Sequence, residues 1–546
     1  MTQAVPLWGS SRFTLALMAF LAFLNFFSLR VNISFAIVCM VNHTAIAHLS
    51  AQVNETTSHN ASFNTDYMSL SSGPNGTNGN NGLGSFDINR SSSDGMQQED
   101  GEMVWDKHTQ GLIHGSLYWG YVLTNLAGGL LADRYGGKHV IGLALLGATL
   151  LTLLVPVVAR WNVVGLMVLR FFTGVSHGFV SPAMQSLWSQ WAPPLESSRL
   201  RSICFAGSQM GKVLTYPLTA VLCEYGFDGG WPSIFYAQGV FGLTWFVLWC
   251  LLVFDSPAKH PRISREERVY IETSLEGIMS TSKQKRGPVP WLSILTSPCV
   301  WAIIVTHICS NWGEYTFLTN IPTYLKEVLQ YEVKKNGLMS SLPYVFFWLT
   351  IGLSSWLADV VRTKRFLSTL LTRKVFNTIG QLLPAISLIG VSYAGREHSA
   401  LAMTLLTVGI ALTGFQYGGG LFLSPGDIAP RYAGVVYGIS NTMATLPGFL
   451  SPLAIGYLTV DQTQEQWRAV FFISAAIYVF GSIFFNLFAS ATLQPWAHPK
   501  SDDIDVTIRA PDTEECLLDD ALTNSDSNDH KDKVTNPLSR SSLTKK

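Results

Sequence analysis

Arginines lie deep inside two apolar runs of this chain, where a charge is costly. Arg30 lies well inside the run 13–41, and Arg170 lies inside the run 162–183. A guanidinium keeps its proton, and a charge at that depth costs roughly 3 kcal/mol or more unless it meets a wet cavity or an anion. Its planar group can grip a carboxylate with two hydrogen bonds. We therefore predict an anion-binding site; the alternative is a structural Arg30 that binds neighbouring carbonyl groups.

Titratable side chains accompany the arginines at helical spacing. His177 shares a predicted helix face with Arg170, and histidine titrates near neutral pH. Glu314 is the acid that lies deep inside a predicted span. The predicted substrate-binding residues are Arg30, Arg170, Tyr118 and Tyr121. The predicted residues for proton coupling or gating are His177, His114 and Glu314.

Other polar residues repeat at the same spacing, and Lys212 is a third cation inside an apolar run. Polar stripes of this kind can simply join helices by hydrogen bonds, and a structural histidine is the alternative for His177. With three cations among them, the stripes indicate a shared water-filled cavity of positive potential. Glu314 would then pair with one of the cations or carry protons.

The composition is that of a polytopic membrane protein. Of 546 residues, 48% are hydrophobic and only 13% are charged, whereas soluble chains carry about 25% charged residues. The formal net charge is zero, so no basic field suggests a nucleic acid partner. No nucleophile–base pair or metal cluster stands out in the sequence. We therefore expect no enzyme activity, no catalytic or metal-binding residues and no cofactor except a coupling ion, H⁺ or Na⁺.

Apolar runs long enough to cross a bilayer recur about twelve times. In the first half they are 13–41, 109–132, 139–159, 162–183, 202–223 and 233–254. In the second half they are 298–321, 337–358, 373–393, 399–422, 432–457 and 467–490. An even number of spans returns the C-terminus to the side on which the chain starts.

Loop composition predicts the orientation of these spans. The polar loop 42–107 carries five glycosylation sequons, which indicate a lumenal or extracellular face. The sequon asparagines are Asn42, Asn54, Asn60, Asn75 and Asn89. The loop 255–297 is rich in Lys and Arg, as expected of a cytosolic loop. Residues 1–12 are then a cytosolic N-terminus.

The long charged loop divides the spans into two similar sets of six. Thr124 and Ala132 at the end of the second span correspond to Thr350 and Ala358 at the end of the eighth. Parallel six-helix repeats build transporters whose site lies between the halves near mid-membrane. The predicted parts are an N-terminal bundle, 13–254, a linker, 255–297, a C-terminal bundle, 298–490, and a disordered cytosolic tail, 491–546.

The short loop after the second span carries glycines and charges that can latch neighbouring helix ends and release them. Its predicted switch residues are Gly129, Asp133, Arg134 and Lys138. With about twelve spans, this pattern resembles the signature loop of the major facilitator superfamily. The resemblance implies an all-α fold of two six-helix bundles that works by alternating access.

Five further segments resemble the anion:cation symporters of solute carrier family 17, most strongly its sialin-like members. The segments are 30–34, 114–121, 188–199, 336–344 and 427–434. The likeness extends from about residue 13 to 497, except in the sequon loop. It implies transport of small organic anions, driven by protons or voltage, and it matches Arg30 and Arg170 to arginines tied to anion binding or gating.

Several positions depart from the family pattern. Sialin-like members carry glutamates where this chain has Thr173 and His177, and one of those glutamates is linked to proton coupling. Glu314 stands where an aromatic residue is usual, and Ser310 replaces an arginine of the vesicular glutamate transporters. Anion transport is still expected, but sialic acid as substrate and the family's route of proton coupling do not follow.

The predicted function is secondary active transport of a small organic anion. The expected solutes are sialic acid-like molecules, acidic sugars and acidic amino acids. The expected partners are this solute, the lipid bilayer and a sorting adaptor at the C-terminal tail. One alternative is a sodium-coupled phosphate or urate-type transporter, since those relatives also lack the glutamates of the fourth span. The alternative from another class is a channel or sensor that keeps the fold.

The tail segment 512–518 resembles an acidic dileucine sorting signal. It favours a lysosomal, secretory or synaptic vesicle membrane, with the plasma membrane as the alternative.

The seven cysteines are scattered and show no metal-ligand spacing, so we expect buried free thiols.

Overall fold

The structure, a computed structural model, describes residues 8–42, 101–193, 196–283 and 289–497, with positions 6, 44–46 and 48 beside them. The chain divides into two units, Met1–Trp496 and Ala497–Lys546, and the membrane-spanning helices all belong to the first. Within the described residues the regular structure is helical, apart from a single bridge between Val41 and Met103. The predicted all-α class is therefore confirmed.

The helices fall into the two predicted sets of six. The first to sixth spans are Ser11–Met40, Lys107–Tyr135, Gly137–Trp161, Val163–Gly178 with Val180–Trp191, Ser197–Tyr225 and Trp231–Leu252. The seventh to twelfth are Pro298–Glu327, Val333–Thr363, Thr369–Tyr393, Ser399–Leu412 with Gly414–Gly418, Ala433–Met443 with Pro447–Leu458, and Gln464–Phe488. The linker, expected only as a charged loop, contains the helix Arg265–Lys283, and short helices lie at Trp291–Leu295 and Ser424–Ile428.

Eight of the described helical stretches are long and apolar enough by themselves to cross a membrane. The second, fifth, seventh and eleventh spans do not meet both conditions. The second, fifth and seventh bury polar side chains such as His114, Lys212 and Asn311, and the eleventh is broken into two pieces. These same four spans pack between the halves, so their polar residues face protein rather than lipid.

The two halves meet along three helix pairs. The first span packs on the seventh, the second on the eleventh, and the fifth on the eighth. One hydrophobic cluster crosses this boundary and joins Val31, Leu117 and Tyr216 to Leu318 and Tyr344. A site between the halves is therefore lined by both of them.

The end of the bundle from which the sequon loop leaves, here called the sequon end, is sealed by bonds between the halves. Lys107 pairs with Glu327, and Lys334 Nζ lies 3.0 Å from Glu224 Oε1. Tyr216 of the fifth span donates a 2.6 Å hydrogen bond to the carbonyl oxygen of Leu318 in the seventh. Together these bonds link four spans across the boundary.

The opposite end, here called the linker end, lacks such bonds among the described residues. Its ion pairs stay within one half, as in Arg12–Glu196 and Arg373–Asp427. Gly434 and Gly438, in the eleventh span, have open space where a side chain would be. With the predicted orientation, the bonds described above join the halves on the lumenal side.

The linker helix is fixed to the start of the first span. The Glu267 carboxylate accepts hydrogen bonds from the backbone N–H groups of Ser11 and Arg12, both at 3.0 Å. The buried Arg12 guanidinium also binds Glu267 and Glu196. A carboxylate at a helix N-terminus is favourable because it meets unpaired N–H groups and the positive end of the helix dipole. The linker thereby fastens the linker end of the N-terminal half.

The expectation of free thiols was wrong for two cysteines, because Cys39 and Cys223 form a disulfide. Cys39 ends the first span and Cys223 ends the fifth, and both odd-numbered spans finish at the sequon end. The bond therefore joins two helices on the predicted lumenal face, where disulfides persist. Cys204 and Cys309 are free and buried as expected, whereas the free Cys299 is half-buried and the free Cys250 is exposed.

Candidate functional site

Arg30 lies in a cage of aromatic rings between the halves. Its Cζ is 4.6 Å from the ring centroid of Tyr118, 5.0 Å from that of Tyr121 and 5.3 Å from that of Tyr315. The side chain is buried, with 6% of its surface exposed. Ring faces attract a cation without neutralising it. Arg30 therefore keeps its capacity to bind an anion.

Arg170 is brought to the same region by close packing of the second and fourth spans. A side chain at Gly174 would collide with the carbonyl oxygen of Leu117, so glycine permits this approach. Arg170 is 4% exposed, and it donates a single hydrogen bond, of 3.5 Å, to the carbonyl oxygen of Leu29. Two of the predicted substrate-binding residues, Tyr118 and Tyr121, thus surround Arg30, and Arg170 interacts with it electrostatically.

No acidic side chain pairs with either arginine among the described residues. Arg30 donates to the Tyr315 hydroxyl oxygen at 3.4 Å, and the Nε atoms of Arg30 and Arg170 are buried without a hydrogen-bond partner. Two buried cations without a counter-charge are unfavourable in this state. The missing partner that their chemistry fits is a carboxylate or phosphate group.

The third cation, Lys212, does have a counter-charge. Gly211 lets the fifth span pack on the backbone of the first, which brings Lys212 beside Phe27. Lys212 Nζ donates to Glu314 Oε1 at 2.9 Å, and the pair joins the fifth span to the seventh. Of the two roles expected for Glu314, pairing with a cation is the one seen here.

A small cavity of about 30 Å³ lies beside this ion pair, mainly within the C-terminal half. It is lined by Lys212, Ser310, Gly313, Glu314, Phe317, Tyr344, Phe347, Ile410, Thr413, Gln416, Tyr417 and Tyr478. The Tyr417 hydroxyl group donates to Glu314 Oε2 at 2.8 Å. Its mixture of ring faces with a few polar groups is typical of a ligand site, and its volume in this state accommodates water rather than an organic solute.

The two histidines proposed for proton handling have different neighbours. His177 is fully buried with its ring 4.6 Å from that of Phe26, and neither ring nitrogen has a hydrogen-bond partner. His114 lines a separate small cavity of about 10 Å³ near the sequon end, together with Lys107 and Asn320. Both histidines interact electrostatically with Arg170, and in addition His177 interacts with Arg30 and His114 with Lys107.

The loop between the second and third spans is held by an acid that sequence reasoning missed. Asp255, the first residue of the predicted linker, accepts a 2.9 Å hydrogen bond from the Lys138 backbone N–H and lies 3.4 Å from His139 Nδ1. Gly136 adopts a φ of 91°, which favours glycine. Arg134 is exposed and lies over the ring of Tyr135, Gly129 lies beside the fourth span, and the Asp133 side chain is outside the described residues.

Most of the predicted glycosylation sites and the sorting signal lie outside the described residues. These are Asn54, Asn60, Asn75 and Asn89, and the tail segment 512–518. Asn42 is described, and its Oδ1 accepts a hydrogen bond from the Ala45 backbone N–H at 2.7 Å. Its modification stays a prediction.

Sequence reasoning also missed the residues of the seventh and tenth spans that complete the site. Tyr315 contacts Arg30, and Tyr417 binds Glu314. Each of these contacts depends on how two helices are aligned against each other, and only the packed structure specifies that alignment. The disulfide had a readable signal, since both cysteines end odd-numbered spans and therefore face the sequon side together.

Relatives of the chain agree on its family. A family model described as Major Facilitator Superfamily matches residues 15–452. Sialin of Homo sapiens is 40% identical over 495 residues, covering 91% of this chain and 92% of its own length. A putative inorganic phosphate cotransporter of Drosophila melanogaster is 38% identical, with 90% and 88% covered. Vesicular glutamate transporter 1 of Xenopus laevis is 35% identical, with 90% and 76% covered.

Solved structures share the fold at low identity. The xylose transporter XylE of E. coli in an inward-open conformation has a TM-score of 0.62 at 14% identity, covering 88% of this chain and 97% of its own. An inward-facing bacterial homolog of the human lysosomal transporter Spinster has a TM-score of 0.60 at 14% identity, with 90% and 99% covered. The fold, the sequence matches and the two six-helix halves lead to one conclusion: the chain is a multi-pass membrane transporter, not an enzyme, and belongs to the solute carrier 17 family of the major facilitator superfamily.

Proposed function

We propose that the protein carries small organic anions across a membrane by alternating access, with the anion bound between the halves at Arg30 and Arg170. The observation that carries this proposal is the pair of buried guanidinium groups without an acidic partner among the described residues. An incoming carboxylate would supply the missing counter-charge and the missing hydrogen-bond acceptors. The proposed solutes are acidic sugars of the sialic acid type and acidic amino acids.

The bonds at the sequon end explain how one bound anion could be released on either side. Lys107–Glu327 and Lys334–Glu224 would have to break for the halves to separate at that end, and new contacts would have to form at the linker end. The exposed pair Lys334–Glu224 contributes little, whereas Lys107–Glu327 is buried, so its separation needs water or new partners for both charges. Arg30 and Arg170 lie between the two ends and would face each in turn.

Proton or voltage coupling is proposed with His177 and Glu314 as the residues that respond. His177 lies near both arginines, so its imidazolium form is disfavoured until an anion arrives. Glu314 is partly exposed to the cavity and already paired with Lys212. Coupling to sodium is the alternative.

A second candidate substrate is inorganic phosphate. A relative named as a putative inorganic phosphate cotransporter is nearly as similar to the chain as sialin is. Guanidinium groups bind phosphate and carboxylate with the same geometry. The name of the vesicular glutamate transporter also supports placement in an intracellular vesicle.

The proposal is tested by uptake into proteoliposomes that contain the purified full-length protein. The solutes are labelled N-acetylneuraminate, D-glucuronate, L-glutamate, L-aspartate and phosphate, with the pH gradient, sodium gradient and voltage set independently. Saturable uptake of a carboxylate that an inward proton gradient or voltage stimulates supports the proposal. Uptake of phosphate alone with a sodium gradient supports the second candidate, and a conductance without saturable uptake overturns both.

A further inference from the structure

The cavity of the C-terminal half offers a chemistry that the arginines do not. Its walls combine one carboxylate, Glu314, with the rings of Phe317, Tyr344, Phe347, Tyr417 and Tyr478. A carboxylate among aromatic faces is a typical environment for a protonated amine. The C-terminal half therefore gives the cavity a wall that suits a cation.

Lys212 demonstrates that an ammonium group fits this environment. Its Nζ lies 5.0 Å from the ring centroid of Phe27, 5.4 Å from that of Tyr344 and 5.7 Å from that of Phe347, and it donates to Glu314 at 2.9 Å. Lys212 reaches the cavity from the fifth span of the other half. The Lys212 ammonium group thus belongs to the N-terminal half, and the Glu314 carboxylate that it binds belongs to the C-terminal half.

Glu314 retains room for a second donor. Its side chain is 26% exposed, whereas that of Lys212 is 1% exposed. A carboxylate has about four acceptor positions, and those used among the described residues are filled by Lys212 and the Tyr417 hydroxyl group. An amine in the cavity can therefore bind Glu314 beside Lys212 or in its place.

The two binding regions are adjacent. Tyr315, which accepts the hydrogen bond from Arg30, directly follows Glu314 in the seventh span. The Phe27 ring contacts both Arg30, at 5.9 Å, and Lys212, at 5.0 Å. A solute whose carboxylate binds Arg30 therefore lies close to the Glu314 carboxylate.

We propose that Glu314 determines specificity by binding a protonated amino group of the transported anion. The inference rests on the proposed function, in which Arg30 binds the solute carboxylate. The amine takes over the contact with Glu314, and Lys212 becomes free to bind a second anionic group of the solute. Acidic amino acids, with two carboxylates and one amine, satisfy Arg30, Glu314 and Lys212 together.

Matched solutes that differ only in the amino group test this proposal. The purified full-length protein is titrated with L-glutamate against L-2-hydroxyglutarate and with L-aspartate against L-malate, and binding is measured as ligand-dependent thermal stabilisation. A contact with a charged group predicts that the amino member binds roughly tenfold or more tightly in each pair. Equal or weaker binding of the amino members overturns the inference, and this result does not depend on any variant.

Substitution of the acid then identifies the responsible residue. Glu314→Gln is expected to weaken binding of the amino members by about tenfold and to strengthen binding of the hydroxy members, because Lys212 loses its internal counter-charge. Glu314→Asp, which keeps the charge, should retain a preference for the amino members. Equal losses for both members of a pair would mean that Glu314 acts structurally. If both members of a pair bind equally and Arg30→Ala abolishes the binding of both, anion binding stands and the amine inference fails. If neither pair binds, and N-acetylneuraminate, D-glucuronate and phosphate do not bind either, the proposed function fails.

Discussion

Replacing Arg30 by lysine should weaken anion binding although the charge is kept. The lysine ammonium can occupy the cage of Tyr118, Tyr121 and Tyr315, so the fold should survive. It loses the planar fork, and with it one of two parallel hydrogen bonds to a carboxylate. A hydrogen bond to a charged group contributes about 1.5–3 kcal/mol, which corresponds to roughly 10- to 150-fold in affinity.

The assay is the concentration dependence of anion uptake into proteoliposomes, with the amount of inserted protein measured in each preparation. Arg160→Lys is the matched control, because Arg160 lies at the sequon end and binds Glu102 and Asp228 outside the cavity. We expect the half-saturating concentration to rise at least tenfold for Arg30→Lys and to stay within twofold of wild type for the control. Normal uptake by a well-inserted Arg30→Ala protein would refute the reasoning and make Arg30 a structural residue.

Three further predictions concern groups outside the arginine cage. His177→Gln should flatten the rise of uptake at low pH, and a full pH dependence at normal insertion would move the proton route elsewhere, with Glu314 next to test. Cys39 and Cys223 should resist alkylation until a reductant is added, and replacing both by serine should cost about 2–4 kcal/mol of stability, whereas Cys250→Ser should cost little; ready alkylation of both without reductant would contradict the disulfide. The hydrogen bond from Arg160 lowers the pKa of Glu102 below its ordinary value of 4.5. Its stabilising effect, below about 1 kcal/mol for so exposed a pair, is therefore present above pH 4.5 and lost as the pH falls through the lowered pKa. The melting temperatures of wild type and Glu102→Gln should differ slightly at neutral pH and converge in acid; a difference that grows in acid would reverse the sign.

The sequence predicted the span pattern well because hydrophobic length is a local property. The broken fourth and eleventh spans and the helix Arg265–Lys283 are finer features that length alone does not specify. The role of Glu267 at the start of the first span depends on a contact between residues 255 positions apart. No periodicity in either segment indicates that contact.

The site divides in the same way. The cost of Arg30 in an apolar run is local and could be read from the sequence, and so could the helix face shared by Tyr118 and Tyr121. The cation that pairs with Glu314 could not be read from the sequence, since Lys212, Arg30 and Arg170 are all candidates until packing fixes the distances. Packing also gives His114 and His177 different neighbours, although sequence reasoning had grouped them by chemistry alone.

The measurement that tests the central claim most directly is exchange across a membrane. Proteoliposomes are loaded with the labelled anion that wild type takes up best, and efflux is followed with and without the same unlabelled anion outside. A carrier whose halves reorient around one bound anion should show faster efflux with the anion outside, and Arg30→Ala should abolish this acceleration. Efflux that is equally fast without external anion, or acceleration that persists in Arg30→Ala, would contradict an anion site at Arg30 that is exposed alternately to the two sides.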